Sequence, residues 1–111
     1  MAAAQIAPPV SDAPDGAVLF RRQCAVCHSL NPTDPARVGP HLAGVMGRTA
    51  GSVAGYAYSP GLAAGGFAWD EERLDPYLTN PQGMIAGGKM SYRQANPAIR
   101  RAIIDYLKEQ S

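Results

Sequence analysis

The chain has 111 residues, with 10 Lys plus Arg against 9 Asp plus Glu for a net charge of +1, and it is 46% hydrophobic but only 7% aromatic. That length is one domain's worth, and the balanced charge excludes the dense basic face that nucleic acid demands. No apolar run is long enough to span a bilayer, and 12 glycines with 10 prolines predict short helices joined by long loops, an arrangement that a small domain sustains when a large flat apolar group fills its centre.

Residues 1–13 are alanine- and proline-rich and read as a flexible lead-in, followed by one folded domain over 14–111. The lead-in lacks a basic n-region and a long apolar core, so it does not read as an intact signal peptide. From about Asp15 the pattern becomes helical: Ala17, Phe20, Cys24 and Cys27 share one face, which is expected to point at a central group. Arg21 and Arg22 fall off that face and read as solvated.

The helix leads into Cys24-Ala25-Val26-Cys27-His28. C-x-x-C-H is the attachment signature of a c-type haem. Two thiols on one helical turn can each add across a vinyl group of the same porphyrin edge, and the following histidine is carried under the ring, where a neutral imidazole nitrogen can bind iron. A closed zinc site would need four ligands, and beyond these the chain has no cysteine and one histidine, His41. A thioredoxin-like pair expects a strand upstream, where this chain looks helical. A disulfide across so short a loop would stabilise little.

Residues 31–38 hold Pro32 and Pro35 and read as a loop that enters Gly39-Pro40-His41-Leu42. There the Pro40 carbonyl is the best candidate to accept from the free ring nitrogen of His28, which fixes the ring and makes it a better donor to iron. A haem carries two propionates whose burial requires donors, so Arg48, Tyr58 and the single tryptophan, Trp69, are candidate partners. Ser59-Pro60 offers an N-cap and N1 proline for a short helix ending at Gly65-Gly66. Asp70-Glu71-Glu72 starts another that runs to about Asn80, with Pro76 inside it removing one backbone bond and helix expected on both sides.

The stretch from Gln82 to Tyr92 reads as a loop able to supply a second axial ligand, because a thioether is a soft donor that favours ferrous iron. Met1 is terminal and Met46 sits near the His28 side, which leaves Met84 and Met90. Gly87-Gly88-Lys89 lets the backbone approach the ring closely and favours Met90. Asn96-Pro97 begins a last helix whose Ile99, Ala102, Ile103, Tyr106 and Leu107 form one apolar stripe, with the first helix as its expected partner.

Taken together, Cys24 to His28, Val38 to Leu42, Gly47-Arg48-Thr49, Gly55 to Tyr58, Trp69, Tyr77 to Pro81, Gly88-Lys89-Met90 and Ile104 to Leu107 resemble, in content and order, a class I cytochrome c of the small soluble type. The resemblance implies an all-α fold with the first and last helices crossing, and one covalently bound haem c per chain. It implies Cys24 and Cys27 at the thioethers, His28 and Met90 as axial ligands, the Pro40 carbonyl on His28, Arg48, Tyr58 and Trp69 at the propionates, and the Tyr77 hydroxyl near the methionine sulfur.

Departures stand beside the likeness. Gly88 occupies a position where the family often has a propionate-donating threonine, Leu62 one where it has a buried asparagine, and Ile85-Ala86-Gly87 lacks the usual central proline. The Met90 loop is therefore expected to be loose and to exchange its ligand early at high pH. With both axial positions filled, the expected function is one-electron transfer rather than catalysis, between redox partners that dock transiently at the haem edge with a shallow salt dependence. The protein is expected to be monomeric and periplasmic. The alternatives are the haem domain of a larger oxidoreductase, or a peroxidase or gas sensor with a labile methionine.

Overall fold

The computed structural model describes residues 15–35 and 37–110; the lead-in over 1–13 lies outside them. Its helices are α1 (Gly16–Gln23), α2 (Pro60–Ala63), α3 (Glu71–Thr79), α4 (Pro81–Met84) and α5 (Pro97–Lys108). Among the described residues there is no strand, and pairing is confined to one antiparallel bridge between Thr49 and Ala68. No helix is long and apolar enough to cross a membrane.

Asp15 starts α1 by accepting from the Ala17 and Val18 amides at 2.9 and 3.4 Å, and Asn96 starts α5 by accepting from Ala98 and Ile99 at 2.9 and 3.4 Å. The two helices pack on each other, and a Cβ added to Gly16 would stand 2.3 Å from the Ala102 carbonyl oxygen, so glycine permits this approach. The Phe20 ring lies 5.6 Å from that of Tyr106. The apolar face of α1 thus buries Phe20 as a core aromatic against α5, while Cys24 and Cys27 further along it line the central cavity.

The first helix also ends earlier than its pattern indicates. Helical bonding closes at Gln23, and Cys24 to Cys27 form a turn in which the Cys27 and His28 amides both donate to the Cys24 carbonyl, at 3.0 and 2.9 Å. The cysteines still share one hydrogen-bonded turn.

Pro76 lies inside α3 with helix on both sides of it, as expected; proline removes one bond there, while the Asn80 amide still reaches the Pro76 carbonyl at 3.1 Å. Other parts of the middle region differ from the sequence reading. Asn80 then caps a second helix, accepting from Gly83 at 3.1 Å with Pro81 at N1, so the first residues of the expected loop are the helix α4. Helix α2 ends at Ala63, ahead of the glycine pair. Because α5 packs on α3 as well as α1, its buried surface is wider than the predicted stripe and takes in Arg100 and Ile104.

Candidate functional site

At the centre lies a cavity of about 400 Å³, within the range of small-molecule and cofactor sites. Its wall contains every residue that the sequence marked: Cys24, Cys27, His28, Pro40, Arg48, Tyr58, Trp69, Tyr77 and Met90. Met84 does not line it and is 36% exposed. Among the described residues no three His, Cys, Asp or Glu side chains gather where they could hold a metal by themselves.

The His28 side is laced together from the backbone. The Gly39 amide donates to the Cys27 carbonyl at 2.7 Å, the Leu42 amide to the Ser29 carbonyl at 2.8 Å, and the Arg37 guanidinium to the carbonyls of Ala25 and His28 at 2.6 and 3.2 Å. These bonds bring Pro40 beside the imidazole, whose Nδ1 stands 2.8 Å from the Pro40 carbonyl oxygen. A carbonyl accepts and never donates, so Nδ1 carries the proton and Nε2 keeps a free lone pair. Burial lowers the His28 pKa, an effect that the Pro40 bond partly opposes, so the neutral, iron-binding form of the ring is the one favoured. Burial, with Cys27 nearby, pushes the Cys24 thiol up to about 11.

A second group of residues provides donors. Arg48 gives Nη1 to the carbonyls of His41 and Ala43 at 2.9 and 3.2 Å, yet its Nε is buried without a partner. Tyr58 accepts from the Val53 amide at 3.0 Å, which leaves its own O–H proton to give. Ser59, read from the sequence as a helix cap, makes no cap bond; its Oγ is buried and unpartnered on the cavity wall. Unpaired buried donors are costly, and two of them on one largely apolar cavity fit a bound group that carries carboxylates. The haem propionates have that chemistry, and the cysteine pair and imidazole match its attachment and ligation, so the residues present fit this group.

Packing completes the wall. The Trp69 ring stands 5.0 Å from Phe67 and 4.9 Å from Tyr77, and burial raises the pKa of Tyr77, which keeps its hydroxyl protonated. Leu62 lines the cavity, so the polar cluster is smaller on that side.

Sequence reasoning passed over several members. A Cβ on Gly39 would stand 2.3 Å from Cε1 of His28, so this glycine makes room for the imidazole. Tyr56 donates to the Val38 carbonyl at 2.7 Å, and Lys89 to the Ala57 carbonyl at 2.5 Å. Ser59 carried a signal that pointed elsewhere, since Ser-Pro is a helix start. For Gly39 no local signal exists.

The family model for cytochrome c matches residues 13–111. A cytochrome c of Arabidopsis thaliana is 40% identical over 101 residues, which cover 90% of this chain and 90% of that one. A cytochrome c2 of Pararhodospirillum photometricum is 38% identical over 107 residues, covering 86% of this chain and 95% of that one. Cytochrome c2 iso-2 of Magnetospirillum fulvum is 46% identical over 86 residues, 77% of this chain and 88% of its own.

Proposed function

This chain belongs to the cytochrome c family, and on that premise we propose that Cys24 and Cys27 would hold its haem through thioethers while His28 and Met90 would ligate its iron. It is a haem-based electron carrier with covalently bound haem c, and not an enzyme. The haem iron supplies the chemistry, accepting one electron from a donor and passing it to an acceptor.

The residues do the rest. His28 presents Nε2 while Pro40 holds its other nitrogen, and Met90 adds a soft thioether that favours the ferrous state. Arg48, Tyr58 and Trp69, joined by Ser59, would hold the propionates, and Tyr77 would offer its hydroxyl to the methionine sulfur. Little rearrangement accompanies the change of charge, because the Pro40 carbonyl fixes the histidine before any electron arrives. The observation that carries this reading is the convergence of all these residues on one cavity with the imidazole already oriented.

The partners are redox proteins that dock briefly at the cavity mouth, where Val26 and Val38 are 76% and 65% exposed. The protein works as a monomer, in keeping with a cavity wall that one chain supplies. It is periplasmic, as its likeness to bacterial cytochromes c2 supports.

Absorption spectra of both redox states test the ligand set. The oxidised protein should show the near-infrared sulfur-to-iron band, the reduced protein should ignore carbon monoxide, and Met90→Ala should abolish the band. A band that survives in Met90→Ala moves the assignment to Met84, and carbon monoxide binding by the parent replaces the saturated carrier with a gas-binding site.

A further inference from the structure

The segment that bears Met90 is held by side chains and not by its own backbone. It is anchored at both ends, where the Ile85 amide donates to the Pro81 carbonyl at 2.9 Å and the Gln94 amide to the Leu78 carbonyl at 2.8 Å. Between them, among the described residues, 86–93 make no main-chain to main-chain hydrogen bond. Gly87, with φ of 79°, adds conformational freedom at the middle of the approach to Met90.

Side chains fill that gap: besides the bond from Lys89 to the Ala57 carbonyl, two ties bear on the backbone around Met90. Gln82 Nε2 donates to the Gly88 carbonyl at 2.6 Å and to the Met90 carbonyl at 3.0 Å, so one amide uses both its protons to bracket Lys89. Its base is firm: Pro81 is fully buried and Asn80 caps the turn that carries it. Downstream, the Tyr92 hydroxyl donates to Gln23 Oε1, and Gln94 Nε2 joins the same oxygen at 3.1 Å. Gln23 is the last residue of α1, immediately before Cys24, so this tie joins the Met90 segment to the cysteine turn.

We propose that Gln82 is the positioning residue of the Met90 segment, with Tyr92 and Gln23 as its second tie, and that these bonds set how readily Met90 leaves its place. The inference rests on the assignment of Met90 as an iron ligand. Gln82 takes the part that a proline in Ile85-Ala86-Gly87 would otherwise play, restricting the segment from outside instead of through its own torsions.

Imidazole added to the oxidised holoprotein at neutral pH reads this directly, because it binds where Met90 has moved away and its apparent affinity scales with the open fraction. Gln82→Ala should raise that affinity by roughly 3- to 10-fold, as expected for the loss of ordinary hydrogen bonds. Gln82→Glu, similar in size but unable to donate, should do the same. Tyr92→Phe keeps the ring and should raise the affinity too. Glu71→Gln, which weakens the distant α3–α5 ion pairs, should lower the denaturant midpoint and leave imidazole binding unchanged. Parental imidazole affinity in both Gln82 variants, with the sulfur-to-iron band present in the parent, overturns the positioning role while sparing the ligand assignment. Absence of that band from the parent overturns both.

Discussion

Gly39 lies so close to His28 that a Cβ on it would overlap the imidazole, 2.3 Å from Cε1 and 2.9 Å from Nε2. Both atoms belong to the ring edge that the proposed ligation turns toward iron, so Gly39→Ala can be accommodated only by moving the ring or the Gly39-Pro40 backbone. Either movement strains the bond from Nδ1 to Pro40. We expect Gly39→Ala to cost about 1–3 kcal/mol through overpacking and to lower the yield of holoprotein with native absorption. Denaturant melts and the spectrum of the purified variant check this.

Arg100 is 9% exposed on α5 and joins three parts of the chain: Nε donates to Asp75 at 2.7 Å on α3, and Nη1 to the carbonyls of Gln94 and Ala95, both at 3.0 Å. Arg100→Ala removes all three bonds and leaves two carbonyls short of a donor, a loss of about 2–4 kcal/mol by urea unfolding. Asp75 is half exposed, so Asp75→Asn should lose under about 1 kcal/mol.

Arg100 also marks where sequence reading stops. An arginine inside an amphipathic helix reads as solvated, and its burial becomes visible only once α3 brings Asp75 against it. The helix starts at Asp15, Asp70 and Asn96 were legible because a helix start is a local matter of one side chain and the first one or two free amides. The end of α1 was not, since the Cys24–Cys27 turn follows from the approach of 37–42, which no local pattern encodes. Among the site residues, the haem-attachment signature and the glycines before Met90 acted through short-range geometry, and the residues they mark line one cavity. Gly39 and Gln82 act on residues brought to them by the fold and Ser59 faces the cavity without a protein partner, and each has an innocent local explanation.

Glu71 gives a pH dependence with a definite sign. Its hydrogen bond from Lys108, 2.6 Å long, is the main cause that holds its pKa below the usual 4.5, with the charges of Lys108 and Arg101 adding to it. A depressed carboxylate pKa stabilises the fold above the unfolded value, and the contribution is lost as pH falls through the folded one. Unfolding midpoints should therefore decline below about pH 4.5, and Glu71→Gln should decline less over the same interval. The site is open to solvent, so added salt should shrink the difference.

The rim of the cavity offers exposed Val26 and Val38 beside Lys89, on a chain whose net charge is +1. Such a face steers partners weakly and holds them by apolar contact. Electron transfer with a protein partner should lose only about 2- to 5-fold in rate between low and physiological ionic strength, as stopped-flow measurements would show. Val26→Ser should slow it at every salt concentration, whereas a steep salt slope would reveal a charged face outside the described rim.

The missing proline of the Met90 segment can be restored without removing a main-chain hydrogen bond. Ile85 has φ −135° and ψ 96°, the extended conformation that a residue before proline adopts, and Ala86 offers its amide to no main-chain carbonyl among the described residues. Ala86→Pro therefore removes unfolded-state freedom without removing a main-chain bond, and should stabilise the segment by about 0.4–1 kcal/mol. Since 1.4 kcal/mol is tenfold in an equilibrium, the open fraction should fall by roughly 2- to 5-fold. An alkaline titration of the sulfur-to-iron band should then begin early in the parent and move to higher pH in Ala86→Pro. Gln82→Ala should shift it the other way, and the double variant should lie between them, because torsional restriction at Ala86 and an amide tie across Lys89 act on the same opening. A parent that keeps the band into strongly alkaline solution, with Ala86→Pro no different, would mean that the segment is already as stiff as proline could make it.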